Sequence, residues 1–299
     1  MEISEYFFNI FKKRIEDSYI NYLSNINLYQ QERMNKEKAI VKEFYETFGW
    51  KKTLEGVYNE TSLFHDQRKS SCFYIRLNLS ILRHNFNRKG MFFLDAGCGA
   101  APYTIFAKNF NFHVCVDFTR TGLAEAKRKV INGMFVIADL TYLPFKNSVF
   151  DGATAMHVLY HLPKDCQVKA INELARIIAR KSKCLIVYSN SDGFNSLFNF
   201  IPQALRRIRK KNKEKTTHTS DKPPLYAYYF SLKYFKNLPS SGYKFSIRNA
   251  HFLGGSSRSI VPNGFAGYLV FSILLFIERF FSRTIAKFSY HPAFIIEKG

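Results

Sequence analysis

FFLDAGCGAAPY, residues 92–103, is the stretch on which the reading of this chain turns. An apolar run from Met91 to Leu94 leads into Asp95, and Gly97 and Gly99 follow at once. The pattern predicts a buried strand, a tight glycine turn and then a helix through APYTIFAKNF, residues 101–110. Glycines at such a turn let the backbone bend sharply and bring N–H groups against a ligand. A helix N-terminus behind them would add a partial positive charge. A bare G-x-G is common in structural turns, so the context matters. Asp117 lies 20 residues beyond Gly97 at the tip of the next apolar run, FHVCVDF, where a carboxylate can accept two ribose hydroxyls.

Outward from this block the alternation continues. TGLAEAKRKVI, MFVIAD, VFDGATAMHVLYHLP, KAINELARIIAR and KCLIVYSN read as helices of about ten residues between short apolar strands, five strands by Tyr188. Right-handed βαβ units then give an α/β fold, a Rossmann-like doubly wound, mostly parallel sheet. Residues 1–88 read as a helical N-terminal cap, with Phe7, Ile10, Phe11, Ile40, Val41, Phe44 and Phe48 at helical spacing. Residues 89–299 read as the sheet domain. A helical, basic insertion at 190–242 follows the fifth strand. The end reads strand (SGYKFSIRNAHF), late helix (263–288) and strand (HPAFIIEKG).

A dinucleotide would need a phosphate-cradling glycine at the start of the helix, and this chain has Ala100, Ala101 and Pro102 there, while Asp95 would repel a pyrophosphate. A smaller, cationic adenosyl ligand fits better. Taken together these residues resemble a class I S-adenosylmethionine-dependent methyltransferase, of the broad group that includes ubiquinone/menaquinone-type and sugar- or lipid-modifying enzymes. The likeness covers about residues 91–190. Asp95-Ala96-Gly97-Cys98-Gly99 matches the glycine motif, with Ala101 where a third glycine is usual. LPFKNSVFDGATAMHVLYHLP, residues 143–163, matches the fourth-strand motif. The resemblance implies S-adenosyl-L-methionine as cofactor. Asp95, Gly97 and Gly99 would form its turn, Asp117 would hold the ribose, Phe118 would flank the adenine, and Asp139 with Leu140 would meet the adenine amino edge. Met156 and His157 would face the sulfonium.

Methyl transfer asks the protein chiefly for alignment, and a hydroxyl acceptor also needs a base. His157, His161 and Tyr160, near the tip of the fourth strand, are the candidate catalytic residues. Tyr58 and Arg68, in the stretch that would close the acceptor pocket, are the candidate substrate-binding residues. No metal site is expected. Cys72, Cys98, Cys115, Cys166 and Cys184 form no C-x-x-C pair, and no histidines cluster at zinc-ligand spacing.

With 299 residues, 46% of them hydrophobic, the chain can build a core, which excludes whole-chain disorder. The N-terminal MEISEYFFNIFKKR lacks a signal peptide's pattern, so a cytoplasmic protein is expected, peripheral on the inner membrane face. The formal charge of +21 points to a polyanionic partner. Residues 201–299 hold 17 Lys+Arg against 4 Asp+Glu, so the excess sits beside the acceptor region. Phe194, Leu197, Phe198, Ile201, Leu205 and Ile208 form an apolar stripe that runs into Arg206, Arg207, Arg209, Lys210, Lys211, Lys213 and Lys215, the pattern of a helix lying on anionic lipid. Phe265–Ile277, 13 apolar residues, is too short to span a bilayer and reads as either a buried or an interfacial helix. The expected function is methylation of a small or lipid-linked acceptor (lipid, isoprenoid or saccharide) near a membrane surface. The alternative is an RNA-modifying enzyme whose basic C-terminal third contacts nucleic acid.

Overall fold

The computed structural model describes residues 28–86, 88–190, 222–237 and 242–299. Its centre is a seven-stranded sheet ordered β3-β2-β1-β4-β5-β7-β6. The strands are β1 (Gly90–Ala96), β2 (Phe110–Asp117), β3 (Gly133–Ile137), β4 (Gly152–Met156), β5 (Lys183–Val187), β6 (Tyr243–His251) and β7 (His291–Lys298). The first five are parallel. β7 inserts antiparallel between β5 and β6, so β6 points the same way as β1–β5. The strand order steps outward from β1 to β3 and restarts at β4 on the other side. A crevice therefore opens above the carboxyl ends of β1 and β4.

The sheet forms because its strands are apolar on both faces. Phe92 and Leu94 of β1 pack with Val114, Val116, Ala153 and Ile186 on one side. Phe93 packs with Leu82, Phe86, Phe106 and Leu185 on the other. Burial of both faces is why these strands read as unbroken apolar runs without alternation. The Asp151 carboxylate accepts the N–H groups of Met91 at 2.7 Å and Phe92 at 3.2 Å, pinning the start of β1 to the start of β4.

The helices are α1 (Leu28–Phe44), α2 (Asn59–Phe64), α3 (Lys69–Arg83), α4 (Arg120–Lys127), α5 (Gln167–Ile177), α6 (Leu232–Lys236), α7 (Gly255–Arg258), α8 (Phe265–Phe280) and α9 (Ser282–Ile285). The long C-terminal helix read from the sequence breaks at Phe281 into α8 and α9. α8 turns Gly267, Phe271, Leu275 and Glu278 inward, where Phe271 stacks on Tyr74 of α3 at 4.9 Å. The basic run Arg206, Arg207, Arg209, Lys210, Lys211, Lys213 and Lys215 lies outside the described residues.

One expectation fails. The helix predicted over residues 101–110 does not form, and the segment holds turns and one 3₁₀ turn, Ala107–Asn109. The reason is length. Thirteen residues separate β1 from β2, and the first four make the glycine turn. Nine residues of helix would rise only about 13 Å, whereas a strand like β1 spans about 23 Å. A more extended path makes the return instead, and no helix N-terminus stands behind the glycines.

Candidate functional site

The carboxyl ends of β1, β2 and β4 open onto a cavity of about 280 Å³. Its floor is Gly97, Cys98 and Ala101 after β1, Asp117 and Phe118 at the end of β2, Asp139 and Leu140 after β3, and Met156, His157, Val158 and His161 at and after β4. Lys38, Val41, Tyr45, Trp50, Glu60, Thr61 and His65, from the chain before β1, form its roof.

The glycine turn is set by contacts behind it. Gly97 and Gly99 have φ of +70° and +53°, the left-handed region that side chains disfavour. A Cβ on Gly97 would lie 2.4 Å from the Val158 side chain, and one on Gly99 would lie 2.3 Å from the Trp50 ring. The Gly97 and Cys98 N–H groups donate to the Val116 carbonyl at 2.7 and 3.0 Å, locking the turn onto β2. Asp95 is buried and does not line the cavity. Its carboxylate accepts the Tyr103 N–H at 2.8 Å and the Thr154 hydroxyl at 3.3 Å, with His113 Nε2 at 3.5 Å. Asp95 and Gly99 therefore shape the floor from behind, while Gly97, Asp117, Phe118, Asp139, Leu140 and Met156 face the cavity.

Asp117 accepts the Gly99 N–H at 2.8 Å, the Thr119 N–H at 2.9 Å and the Thr119 hydroxyl at 2.6 Å. The Phe118 N–H also donates to it, so the carboxylate is held in place at the cavity edge. Burial raises its pKa, against the pull of these donors. Asp139 accepts the Thr141 N–H and hydroxyl, each at 2.8 Å, and pairs with Lys38 of α1 at 2.5 Å.

Two further contacts hold the roof. Glu46, in the π-helical turn Tyr45–Gly49, accepts the N–H groups of Arg120 at 2.6 Å and Thr121 at 3.2 Å, capping α4 from another part of the chain. Tyr45 stacks on Trp50 with ring centroids 4.8 Å apart, and its hydroxyl meets His161 Nε2 at 3.3 Å. The Trp50 indole N–H is buried without a hydrogen-bond partner among the described residues.

The three candidate catalytic residues separate. His161 Nδ1 lies 2.9 Å from the Tyr226 carbonyl, so it carries the proton and Nε2 is the free acceptor facing Tyr45. Burial lowers the His161 pKa, and the ring is neutral at neutral pH. His157, at φ +58°, also faces the cavity. Burial, with His65, Arg258 and His161 nearby, drives its pKa down to about 3, where an imidazole is a weak base. Tyr160 does not line the cavity. It packs among His161, Tyr188 and Tyr229, and burial raises its phenol well above the ordinary value.

Tyr58 and Arg68 also lie off the cavity wall. The Tyr58 hydroxyl donates to Glu125 at 2.7 Å and accepts from Lys129 at 2.9 Å, and its ring braces Trp50. Arg68 pairs with Asp66 at 2.7 Å and donates to the carbonyls of Arg258 and Val261, each at 2.6 Å, tying the start of α3 to the approach to α8. The roof residues Lys38, Tyr45 and Trp50 sit in no motif, so the sequence does not single them out. The signal that was present is Trp50, the one tryptophan of the chain.

Comparison with known proteins agrees with this geometry. Residues 94–186 match the family model described as a methyltransferase domain. A protein of Methanocaldococcus jannaschii, itself uncharacterised, is 32% identical over 124 residues, covering 40% of this chain and 52% of its own length. The chain thus spans about half the length of the curated relative it matches. Among solved structures, phosphoethanolamine N-methyltransferase 1 of Haemonchus contortus, in complex with phosphoethanolamine and S-adenosylhomocysteine, is similar with a TM-score of 0.54. It is 12% identical and covers 94% of this chain and 52% of its own. Magnesium protoporphyrin IX methyltransferase of Synechocystis PCC 6803, with bound S-adenosylhomocysteine, gives a TM-score of 0.49 at 16% identity, covering 88% of this chain and all of its own. Residues 94–186 are thus similar to a methyltransferase domain, on a sheet with the fold of class I S-adenosylmethionine-dependent methyltransferases.

Proposed function

We propose that this protein transfers a methyl group from S-adenosylmethionine to a small or lipid-linked acceptor presented at a membrane surface. The donor set in the cavity fits the cofactor: a fixed carboxylate, Asp117, at the end of β2 for the ribose diol, Phe118 and Leu140 as apolar walls for the purine, and Asp139 beside them for an exocyclic amine. The Trp50 ring lines the same cavity from the roof. The cofactor, when bound, supplies an electrophilic methyl group on a sulfonium. The chain's own part is to exclude water with the roof, to align the acceptor and to take its proton. His161 is the proton acceptor in this reading, its Nε2 reached through the Tyr45 hydroxyl.

The observation that carries the acceptor class is the outward face of α8. Phe265, Leu269, Val270, Ile273, Phe276, Ile277 and Phe280 are exposed, and Phe281 and Phe288 continue the patch. The one carboxylate of this helix, Glu278, points inward, hydrogen-bonded by the Tyr74 hydroxyl and, at 2.8 Å, by Asn249. Arg279, Arg283 and Lys287 are exposed beside the aromatic end. An apolar face with a cationic rim suits the interface of an anionic bilayer, each cation contributing about 1 kcal/mol there. No described helix is long and apolar enough to cross a membrane. The face is joined to the cavity mouth: α2 and its flank supply Glu60, Thr61 and His65 to the roof, and a Cβ on Gly255 would lie 2.8 Å from the Phe64 carbonyl, just ahead of α8.

Flotation with anionic and with neutral vesicles tests this reading. The protein is expected to float with the anionic vesicles, and to stay at the bottom when Phe276 and Phe280 are both changed to Glu. If the double variant floats as the wild type does, the α8 face is not the docking surface. The alternative, contact with nucleic acid, draws on the basic residues 206–215, which lie outside the described residues, and no described surface favours it.

A further inference from the structure

Three histidines far apart in the chain meet at the carboxyl edge of the sheet. His157 follows β4, His251 ends β6 and His291 begins β7. Because β7 is antiparallel to its neighbours, its first residue stands at the same edge as the last residues of β4 and β6. His251 and His291 are direct cross-strand partners beside a bulge, and the His157 N–H is held by the Val187 carbonyl of β5 at 3.0 Å. One ring nitrogen from each lies within 4.8 Å of the other two. The ring centroids of His291 stand 4.5 Å from His157 and 4.3 Å from His251. We propose that His157, His251 and His291 form a binding site for one divalent transition-metal cation of the zinc class, in the wall of the cavity where the acceptor sits.

The surroundings suit ligation. His251 Nδ1 lies 3.3 Å from the Leu253 carbonyl, and His291 Nδ1 lies 3.2 Å from the Ser189 hydroxyl. Each outer contact orients its ring and leaves Nε2 for an ion, the usual arrangement around metal-bound imidazoles. Zn–N bonds of about 2.0–2.1 Å in a tetrahedral site put ligand nitrogens roughly 3.4 Å apart. Side-chain rotations of about 1 Å would bring the rings to that spacing. Three imidazoles leave a fourth position open, and His157 itself lines the cavity.

The buried Arg258 adds a positive charge nearby, fixed by the Ser71 hydroxyl at 2.9 Å and the Leu253 carbonyl at 2.8 Å. Three neutral ligands do nothing to offset that charge. The shell is therefore best completed by an anion, such as a hydroxide or an ionised oxygen or sulfur of the acceptor. The binding site itself stands on the three histidines, and its role in holding the acceptor rests on reading the cavity as the methyl-transfer site.

The test uses the full chain after chelator treatment. Calorimetric titration with Zn²⁺ should give one saturable site per chain, and Co²⁺ should develop visible bands of nitrogen coordination. His291→Ala should weaken Zn²⁺ binding on the order of 100-fold or more, and Ser189→Ala, which only frees the ring, by about 10–100-fold. Circular dichroism verifies the fold of each variant, and the Co²⁺ spectrum of the wild type does not depend on any variant. S-Adenosylhomocysteine titrated into the same samples reports on the methyltransferase reading separately. Absence of a Zn²⁺ site in the wild type, or equal affinity in folded His291→Ala, overturns the metal site whatever the nucleoside result.

Discussion

The two ends of the carboxyl edge of the sheet are built differently. At β1, β2 and β3 the working groups come from short motifs and their side chains are tied to nearby backbone: Asp117 to Gly99 and Thr119, Asp139 to Thr141. At β4, β7 and β6 they come from residues 40 to 134 positions apart, brought together by one antiparallel insertion. The first end is a compact local device that many sequences can share. The second is made by topology, and in the proposed reading it is the acceptor side, with α8 turned outward beside it.

The comparison can be broken at several points. The largest effect is expected from His161→Ala, which removes the neutral imidazole behind Tyr45. For a hydroxyl acceptor kcat should fall by about 10²–10⁴, with S-adenosylhomocysteine affinity unchanged. Single-turnover kinetics checks this, and unchanged turnover would mean that alignment alone suffices.

Next is the α8 face. Phe276→Glu with Phe280→Glu replaces two exposed rings that would each contribute about 1.5–3 kcal/mol on burial. Vesicle partitioning should drop by at least about tenfold. Thermal stability should move little, since neither ring is in the core.

A third effect separates the floor of the cavity from its rim. Burial alone would lower the His113 pKa, but the ring is raised to about 9 by Asp95 and Cys115. The folded state therefore holds this proton more tightly than the unfolded chain, whose histidine titrates near 6.5. The stabilisation is complete below about pH 6.5 and is lost as pH rises through 9, a fall on the order of 3 kcal/mol. Denaturant titrations at pH 6, 7.5 and 9 should show it, and His113→Gln should flatten the dependence. The smallest effect is expected from Glu46→Ala, which removes the cap on α4 and should cost about 0.5–2 kcal/mol. It should also loosen the roof, so S-adenosylhomocysteine should bind a few-fold more weakly in equilibrium titration.

Where side chains act within a few residues of their own strand end, the sequence was readable. Gly97, Asp117, Phe118, Asp139, Leu140 and Met156 share one cavity because each follows or ends a strand of the same parallel sheet. The seven strands themselves were legible from apolar runs, including the late pair around α8. The helix expected after the glycine turn does not form, because the thirteen residues before β2 are too few to make the return as helix. Tyr58 and Arg68 lie in the expected capping stretch but serve as braces, while Tyr45 and Trp50 nearby form the wall. The meeting of His157, His251 and His291 had no linear trace, since ligand spacing along the chain cannot register a cross-strand pair.

The central claim is tested most directly by calorimetric titration of S-adenosylhomocysteine into the wild type and into Asp117→Ala. Loss of two hydrogen bonds to a charged acceptor, at about 1.5–3 kcal/mol each, predicts saturable binding to the wild type and affinity weakened by roughly 10²-fold or more in the variant. No binding to the wild type, or equal binding by a folded Asp117→Ala, would contradict it.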